Sequence, residues 1–338
     1  AHYCFTLYAI SAIVRTLRSM GATTTVEISP NSQCAAYDGT PDASPLVDKI
    51  FHRLNDDEKE KASRASSYRY LVASSSTEEG RNHRDRHAKA MIERYVIVEQ
   101  KIQKSKSLGE WEEAACTKLR NTLKYREEKQ VDAIRQCFDK DKQSDEDGLH
   151  ATIRDRLTKR YASKVSIVRG YTKDGLAMFQ NVPRNETAWE EEYFIKGNIY
   201  MLERALACTE RQTNGEKDKV VIFYDYNGYG RKNAPPPLLI KLLLSDLRDH
   251  WPERLRHVFV VDSPFIFRAF WAIIKHFIDP ITKELVQFIT GDVQKKIFRE
   301  MINEDQAAPF MFEGGKDGKD PDMKAYFYDT PFDHVYGE

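Results

Sequence analysis

The pattern of apolar positions divides the chain into a helical part and a later part in which helices alternate with strands. Apolar residues recur at helical spacing over 88–103 and 111–128, and a short helix is predicted near 46–54. Val131, Ile134 and Phe138 continue the helical spacing in a following turn. The pattern therefore predicts a small α-helical module in this part of the chain.

Two later runs, 219–225 and 258–261, are apolar at consecutive positions instead of alternate ones. Such runs are typical of central parallel strands that are covered on both faces. The remaining predicted elements are strands at 165–168 and 325–328, a turn leading into Met178-Phe179, and helices at 189–208, 238–250 and 292–301. Strands that alternate with helices predict an α/β fold with a mainly parallel sheet flanked by helices.

A nearly continuous apolar helix is predicted directly after the second run. Ser263 is a suitable N-cap and Pro264 suits the first helical position, while Pro280 disfavours helical geometry at Asp279. The charged or titratable side chains between these limits are Arg268, Lys275 and His276. A helix that is apolar nearly all round is either deeply buried or in contact with lipid.

Four pieces in this order and spacing resemble the core of the CRAL-TRIO lipid-binding family, which includes phosphatidylinositol/phosphatidylcholine transfer proteins. They are Pro252-Glu253-Arg254-Leu255, Val260-Val261-Asp262-Ser263-Pro264-Phe265, the aromatic helix, and Asp279-Pro280-Ile281-Thr282. The resemblance implies an apolar lipid cavity beneath a gate helix that moves outward at a membrane. It places Phe267, Phe270, Trp271 and Ile274 on that gate; the alternative is an ordinary buried helix of an α/β domain.

The likeness covers about residues 150–330, which we predict to be the lipid-binding domain. The helical module before it, 46–138, resembles the module that precedes this domain in the family. An acidic and basic stretch at 139–149 is predicted to be a linker. Residues 1–45 are predicted to be disordered or extraneous, although Tyr3 to Val14 could form a weak signal-like segment.

The resemblance also assigns a head-group site. Glu253 and Thr282 match residues that contribute to inositol binding in the family, and Lys283 is close to a basic position that Leu285 occupies here. An Arg-Lys pair expected from the helical module falls at Glu99 and Gln100 if the module is aligned on Arg94-Tyr95-Val96. The stretch Arg69 to Ala73 offers an alternative alignment.

On the strand at 219–225, the Ser and Thr that hold phosphocholine in the family fall at Val220 and Ile222. Neither side chain can donate a hydrogen bond, so phosphatidylcholine is disfavoured. With Tyr224, these residues are predicted to line the lipid cavity. Arg254, Arg256, Arg268 and Lys275 flank the predicted gate, which suggests a basic face towards anionic membranes.

Charge and cysteine content narrow the function classes. Lys plus Arg and Asp plus Glu are each 52, which argues against a nucleic-acid binder. Five cysteines are scattered without a CxxC pair or a Cys/His cluster, which is typical of reduced thiols in the cytoplasm and predicts no metal site. No apolar run is long enough to span a bilayer.

Sequence patterns for catalysis are absent. Strands ending at Asp225 and Asp262 occur without a GxxxxGK[ST] loop, and no GxSxG elbow or HExxH pair is present. We therefore predict no enzyme activity and no cofactor.

The predicted function is a lipid-binding or lipid-transfer protein, with phosphatidylinositol as one candidate ligand. Alternatives are a carrier of a tocopherol, sterol or retinoid, and an adaptor that docks at membranes without transport. The expected partners are a phospholipid or other hydrophobic ligand and a transient membrane surface. The protein is expected to be a cytoplasmic monomer that associates peripherally with membranes.

Overall fold

A computed structural model describes residues 43–72, 78–103, 107–186, 190–265, 280–312 and 320–338, together with residues 267, 271, 272, 275, 276 and 278. The prediction for residues 1–42 lies outside these ranges.

The helical module contains every helix that its apolar spacing predicts. Its helices are α1 Ser44–Arg53, α2 Asp56–Ser66, α3 Tyr68–Val72, α4 Glu78–Ile102, α5 Leu108–Glu128 and α6 Val131–Gln136. Helix α2 lies in a highly charged stretch with little apolar periodicity, and it begins with a capping box between Asn55 and Glu58. Ile92, Tyr95 and Leu119 form part of the core of the module.

The predicted linker is held in place by one buried side chain. Helix α7 spans Lys140–Gln143 and α8 spans Leu149–Tyr161. Arg154 of α8 donates hydrogen bonds to the carbonyl oxygens of Cys137 at 2.9 Å, Lys142 at 2.9 Å and Asp145 at 2.7 Å. The domain boundary at 139–149 stays a prediction, but the segment is fastened to the domain that follows it.

Five strands occur in the described part of the chain, and they form one mixed sheet in the order β1-β2-β3-β4-β5. They are β1 Ser166–Tyr171, β2 Ala177–Asn181, β3 Val220–Asp225, β4 Leu255–Val261 and β5 Val286–Ile289. Strands β1 and β2 are antiparallel, and the other neighbours are parallel. The predicted α/β fold with a mainly parallel sheet is confirmed, whereas the sequence pattern did not predict β5 and took β2 for the end of a turn.

Among the described residues, further helices of the α/β domain are α9 Glu191–Gln212, α10 Pro237–His250, α11 Pro280–Leu285, α12 Gly291–Met301 and α13 Met323–Tyr328. The strand predicted at 325–328 is wrong, because this segment is helix α13. Asp322 caps the helix by accepting a hydrogen bond from the Ala325 backbone N–H at 3.0 Å. The aromatic residues that suggested a strand pack inward, and the Phe327 ring stacks on Phe138 at 4.9 Å.

Alternate residues of the central strands cover two separate cores. Val221, Phe223, Phe259 and Val261 pack with Phe298 of α12 on one face. Phe179, Val220, Ile222 and Val258 face the opposite way, where α9 covers the sheet. This arrangement confirms that β3 and β4 are apolar on both faces because both faces are buried.

A buried carboxylate joins the helical module to the α/β domain. Glu203 of α9 pairs with Arg126 of α5 at 2.7 Å and Arg135 of α6 at 3.2 Å, and it accepts a hydrogen bond from Trp251 Nε1 at 2.7 Å. Burial acts to raise the pKa of Glu203, but the two guanidinium groups outweigh it and hold the pKa at about 2. The charge on Glu203 therefore stabilises the contact between the two parts of the chain.

Replacing Glu203 should weaken the whole fold. Glu203→Gln removes the carboxylate that balances two buried cations, so the free energy of unfolding near neutral pH should fall by about 3–5 kcal/mol. The folded pKa of Glu203 lies below its ordinary value of 4.5, so its stabilisation is present above that value and is lost as the pH falls towards 2. Urea titrations at about pH 7 and about pH 3 should show the difference shrinking at the lower pH.

Glu192→Gln is the matched control, because this carboxylate lies on the same helix but is exposed. A Glu203→Gln effect no larger than that of the control would contradict the prediction.

Candidate functional site

A largely apolar cavity of about 270 Å³ lies on the α9 face of the sheet, beside α4, α10 and the turn that precedes β4. Its apolar lining includes Val98, Phe179, Leu202, Ile222, Leu244, Leu247, Ile278 and Leu285. We call this space the apolar cavity. Parallel strands with right-handed connections place their crossover helices on one face of a sheet, which explains why α9 and α10 share this side.

One end of the apolar cavity is polar and charged. Glu253 is largely buried, and both its carboxylate oxygens lie 3.0 Å from Lys101 Nζ. Lys219 Nζ lies 3.2 Å from the same carboxylate. The backbone of Glu253 has a φ of 58°, in the left-handed region that non-glycine residues rarely adopt. The turn therefore holds Glu253 in a strained conformation with its side chain between two lysines.

The structure brings four of the predicted lipid-binding residues into this lining: Ile222, Tyr224, Glu253 and Thr282. Val220 lies on the same face of β3, but it is fully buried in the core beside the cavity. Lys283 follows Thr282 on α11, is partly exposed, and is not among the lining residues. The roles of all six residues as lipid contacts stay predictions.

The basic residues of the polar end were missed by the sequence alignment. Glu99 is buried in an ion pair with Lys118, and Gln100 is also buried. Lys101 instead reaches Glu253, because it shares one face of α4 with Val98 and Ile102, which also line the apolar cavity. The helical spacing of these residues was a usable signal, but it could not show which face of α4 meets the sheet.

The predicted gate lies next to the carboxyl ends of β3 and β4. Among the described residues, Phe265, Phe267 and Trp271 are helical, while Phe270 and Ile274 lie outside the described residues. The Phe267 ring is buried, and its centroid lies 4.2 Å from that of the Tyr226 ring. Trp271 packs edge-on against Phe288 of β5, with the ring centroids 5.0 Å apart. These contacts hold the predicted gate against the sheet. The movement of the gate stays a prediction.

The predicted basic face stays a prediction, but Arg254 is not part of it. Arg254 points inward, where it donates hydrogen bonds to the backbone oxygens of Ser66 at 2.9 Å and Asp218 at 3.1 Å. Arg256 lines the apolar cavity and Lys275 is exposed, whereas Arg268 lies outside the described residues.

Other kinds of site find little support in the described part of the chain. Its Cys, His, Asp and Glu side chains form no cluster suited to a metal ion. None of its helices is both long and apolar enough to cross a bilayer. Burial raises the pKa of the Cys208 thiol to about 12 and also raises the pKa of the Cys137 thiol. Both thiols are therefore protonated at neutral pH.

The fold and the cavity define a class: a mixed, mainly parallel sheet with an apolar cavity on one face, preceded by a helical module. Residues 161–311 match the CRAL/TRIO domain. These matched residues lie in the α/β part of the chain, and the family resemblance inferred from the four sequence pieces is confirmed.

Individual relatives agree with this assignment. The chain is 26% identical over 164 residues to the phosphatidylinositol transfer protein CSR1 of Eremothecium gossypii, covering 46% of this chain and 36% of the relative. It is 37% identical over 83 residues to the human alpha-tocopherol transfer protein-like, covering 24% and 23%. These matches thus span about a third or less of each relative's length.

A solved structure agrees over a longer range. The crystal structure of Sfh5 superposes with a TM-score of 0.55 at 17% identity, covering 83% of this chain and 89% of the other. This likeness shows a shared fold that includes the helical module.

The aromatic contact under the gate gives a testable stability difference. Phe267→Ala should lower the free energy of unfolding by about 3–5 kcal/mol, because it removes a buried ring from Tyr226. Phe265→Ala is the matched control, since this ring is 69% exposed and should change stability by about 0.5 kcal/mol or less. Equal effects of the two substitutions in urea denaturation would show that the gate is not packed as described.

Proposed function

We propose that this protein binds a lipid in the apolar cavity and exchanges it at membranes. The observation that carries the proposal is a cavity with an apolar wall and one charged end, beside a segment rich in aromatic residues. Each methylene group kept out of water gains about 0.8 kcal/mol, so such a cavity makes carrying acyl chains through water favourable. The names of the relatives support a transferred lipid as the ligand.

Lipid entry requires the gate segment to move. The cavity holds about 270 Å³, whereas sites for drug-sized ligands occupy roughly 300–1,000 Å³ and a phospholipid is larger than such ligands. The described structure is therefore a closed state in this proposal. Loading would separate Phe267 from Tyr226 and Trp271 from Phe288, which enlarges the cavity towards the gate.

Phosphatidylinositol is the ligand that the charged end favours among phospholipids. Lys101 and Lys219 can donate charge-assisted hydrogen bonds to a phosphate, and Glu253 can accept from inositol hydroxyl groups. Thr282 adds a hydroxyl group to the same lining. Val220 and Ile222 offer nothing to phosphocholine, which makes phosphatidylcholine the weaker candidate.

A neutral hydrophobe such as a tocopherol, sterol or retinoid is the second candidate. Lys101 and Lys219 both pair with Glu253 and are partly exposed to solvent, so the charged end does not need an anion. Similarity to a tocopherol transfer-like protein favours the same candidate. An adaptor role would instead leave the cavity empty.

Exposed apolar residues beside the cavity support contact with a membrane. Leu238 and Leu242 on α10 are 74% and 36% exposed, and Phe265 at the start of the gate is 69% exposed. Such side chains can enter the interfacial region of a bilayer, and the exposed Lys275 can face anionic lipids.

Filling the cavity should prevent loading. Ile222→Trp places an indole in the apolar cavity, so the purified protein should carry at most about a tenth of the wild-type lipid, measured by native mass spectrometry and lipid extraction. Leu238→Trp adds the same side chain on the exposed surface and should load normally. Lipid that copurifies equally with both variants would place it outside this cavity, and wild type without lipid would favour the adaptor.

A charge change at the polar end should distinguish the two ligand candidates. Thr282→Asp should abolish phosphatidylinositol loading, because a second carboxylate beside Glu253 would face the phosphate. Thr282→Val removes only a neutral hydrogen bond and should weaken loading by about tenfold or less. Loading of phosphatidylinositol and α-tocopherol is compared at matched thermal stability.

If Thr282→Asp loads phosphatidylinositol as well as wild type does, the head-group assignment is wrong. Selective retention of α-tocopherol by this variant is the result expected from the assignment.

A further inference from the structure

A second cavity lies between the helical module and the α/β domain, and it is built differently from the first. It has a volume of about 330 Å³ and is lined by parts of α2, α4 and α9 and by the segment 215–218. Within the described part of the chain, Arg254 is the lining residue that it shares with the apolar cavity. We call it the arginine cavity, after Arg94, Arg135 and Arg254, which are only 5%, 2% and 5% exposed.

The first group of charges in the arginine cavity has more cations than anions. Asp218 pairs with Arg94 at 2.8 Å and with Arg254 at 3.4 Å, so two guanidinium groups share one carboxylate. Burial, followed by repulsion from Arg94, lowers the pKa of Arg254 to about 9 even though Asp218 opposes this shift. Asp218 therefore leaves part of the positive charge of this pair uncompensated.

The second group has the same imbalance. Arg135 forms an ion pair with Glu203, which also pairs with Arg126. The Arg135 side chain also lies 3.5 Å from the carboxylate of Asp132, which pairs with Arg64. These three arginines share two carboxylates.

The remaining carboxylates of the lining reduce this excess without removing it. Arg94, Arg126, Arg135 and Arg254 are four buried arginines, and they are accompanied by three carboxylates, those of Glu203, Glu210 and Asp218. Glu210 accepts hydrogen bonds from the Ser67 hydroxyl group and from the Tyr68 backbone N–H at 3.0 Å, which commits it to the start of α3. Glu93, Glu216 and Arg86 are exposed, and Lys217 turns towards Asp174 at 3.1 Å. Burial, then His83 and Arg86, lower the pKa of His87 to about 4, so its imidazole is neutral at neutral pH.

We propose that the arginine cavity binds a small soluble anion that carries phosphate. Buried cations that outnumber their carboxylates are stabilised by an added anion, and guanidinium groups bind phosphate oxygens through paired N–H donors. The volume is about ten times the share of one liquid water molecule, roughly 30 Å³, so it accommodates a phosphate or a pyrophosphate. The neutral His87 adds a further hydrogen-bonding group.

Calorimetric titration with inorganic phosphate and with pyrophosphate tests the site at low ionic strength. Wild-type protein should bind one pyrophosphate per chain in saturable fashion, and Arg94→Gln should bind it at least about tenfold more weakly, a loss of about 1.4 kcal/mol. Arg69→Gln is the matched control, because this arginine is exposed on α3 and does not line the cavity. No saturable binding above a sodium chloride blank, or equal binding by Arg94→Gln, would overturn the proposal.

A crystallographic experiment covers the case in which Arg94→Gln does not fold. Wild-type crystals soaked in tungstate, a phosphate analogue, should show anomalous density beside Arg94, Arg135 and Arg254. Density only elsewhere on the protein would overturn the proposal.

Two further experiments distinguish a soluble anion from a lipid-borne phosphate, and the arginine cavity from the apolar cavity. Vesicles that contain phosphatidic acid should not displace pyrophosphate, and displacement would mean that the phosphate is lipid-borne. Lipid loading should be normal in Arg94→Gln, since Arg94 does not line the apolar cavity. Loss of both activities at unchanged thermal stability would show that the two cavities are one site.

Discussion

The buried carboxylate of Glu203 is the interaction on which the arrangement of this protein depends. It joins Arg126 and Arg135 of the helical module to α9, the helix that covers one face of the sheet. It also accepts a hydrogen bond from Trp251, which begins the turn before β4. The Glu203 carboxylate thereby contacts both the helical module and the turn that carries Glu253, while its own helix packs on the sheet. A buried charge of this kind costs desolvation, so it requires all its partners to remain in place.

The position of the module determines what the turn presents to each side. Glu253 faces the apolar cavity, where it meets Lys101 of α4, whereas the next residue, Arg254, reaches back to Ser66 and Asp218. Consecutive side chains thus serve two different cavities. The left-handed backbone at Glu253 makes this possible, because it changes the direction of the chain within one residue. Movement of the module relative to the sheet would alter both cavities together.

The two faces of the sheet have different properties because of the chain connections. On one face, Phe298 and its neighbours pack closely against alternate residues of β3 and β4. On the other face, α9 covers only part of the strands, and the space beyond Leu202 remains a cavity beneath α10. A closely packed face supports the strands while the incompletely covered face provides room for a ligand. The aromatic contact between Phe267 and Tyr226 closes that face at the carboxyl ends of the strands.

Apolar runs and helical periodicity were sufficient to predict the class of fold from the sequence, because they reflect burial that every such domain needs. The motif also drew attention to Glu253 and Thr282, which both line the apolar cavity, since a motif fixes residue type and order. The sequence could not reveal Lys101, because the face of α4 that meets the sheet depends on packing between distant segments. The sequence pattern assigned 325–328 to a strand, because a large apolar residue such as Phe327 suits the buried face of a helix as well as that of a strand. The meeting of Arg126, Arg135 and Glu203 from three separate helices was visible only in the folded protein, because charges far apart in sequence carry no local pattern that predicts their contact.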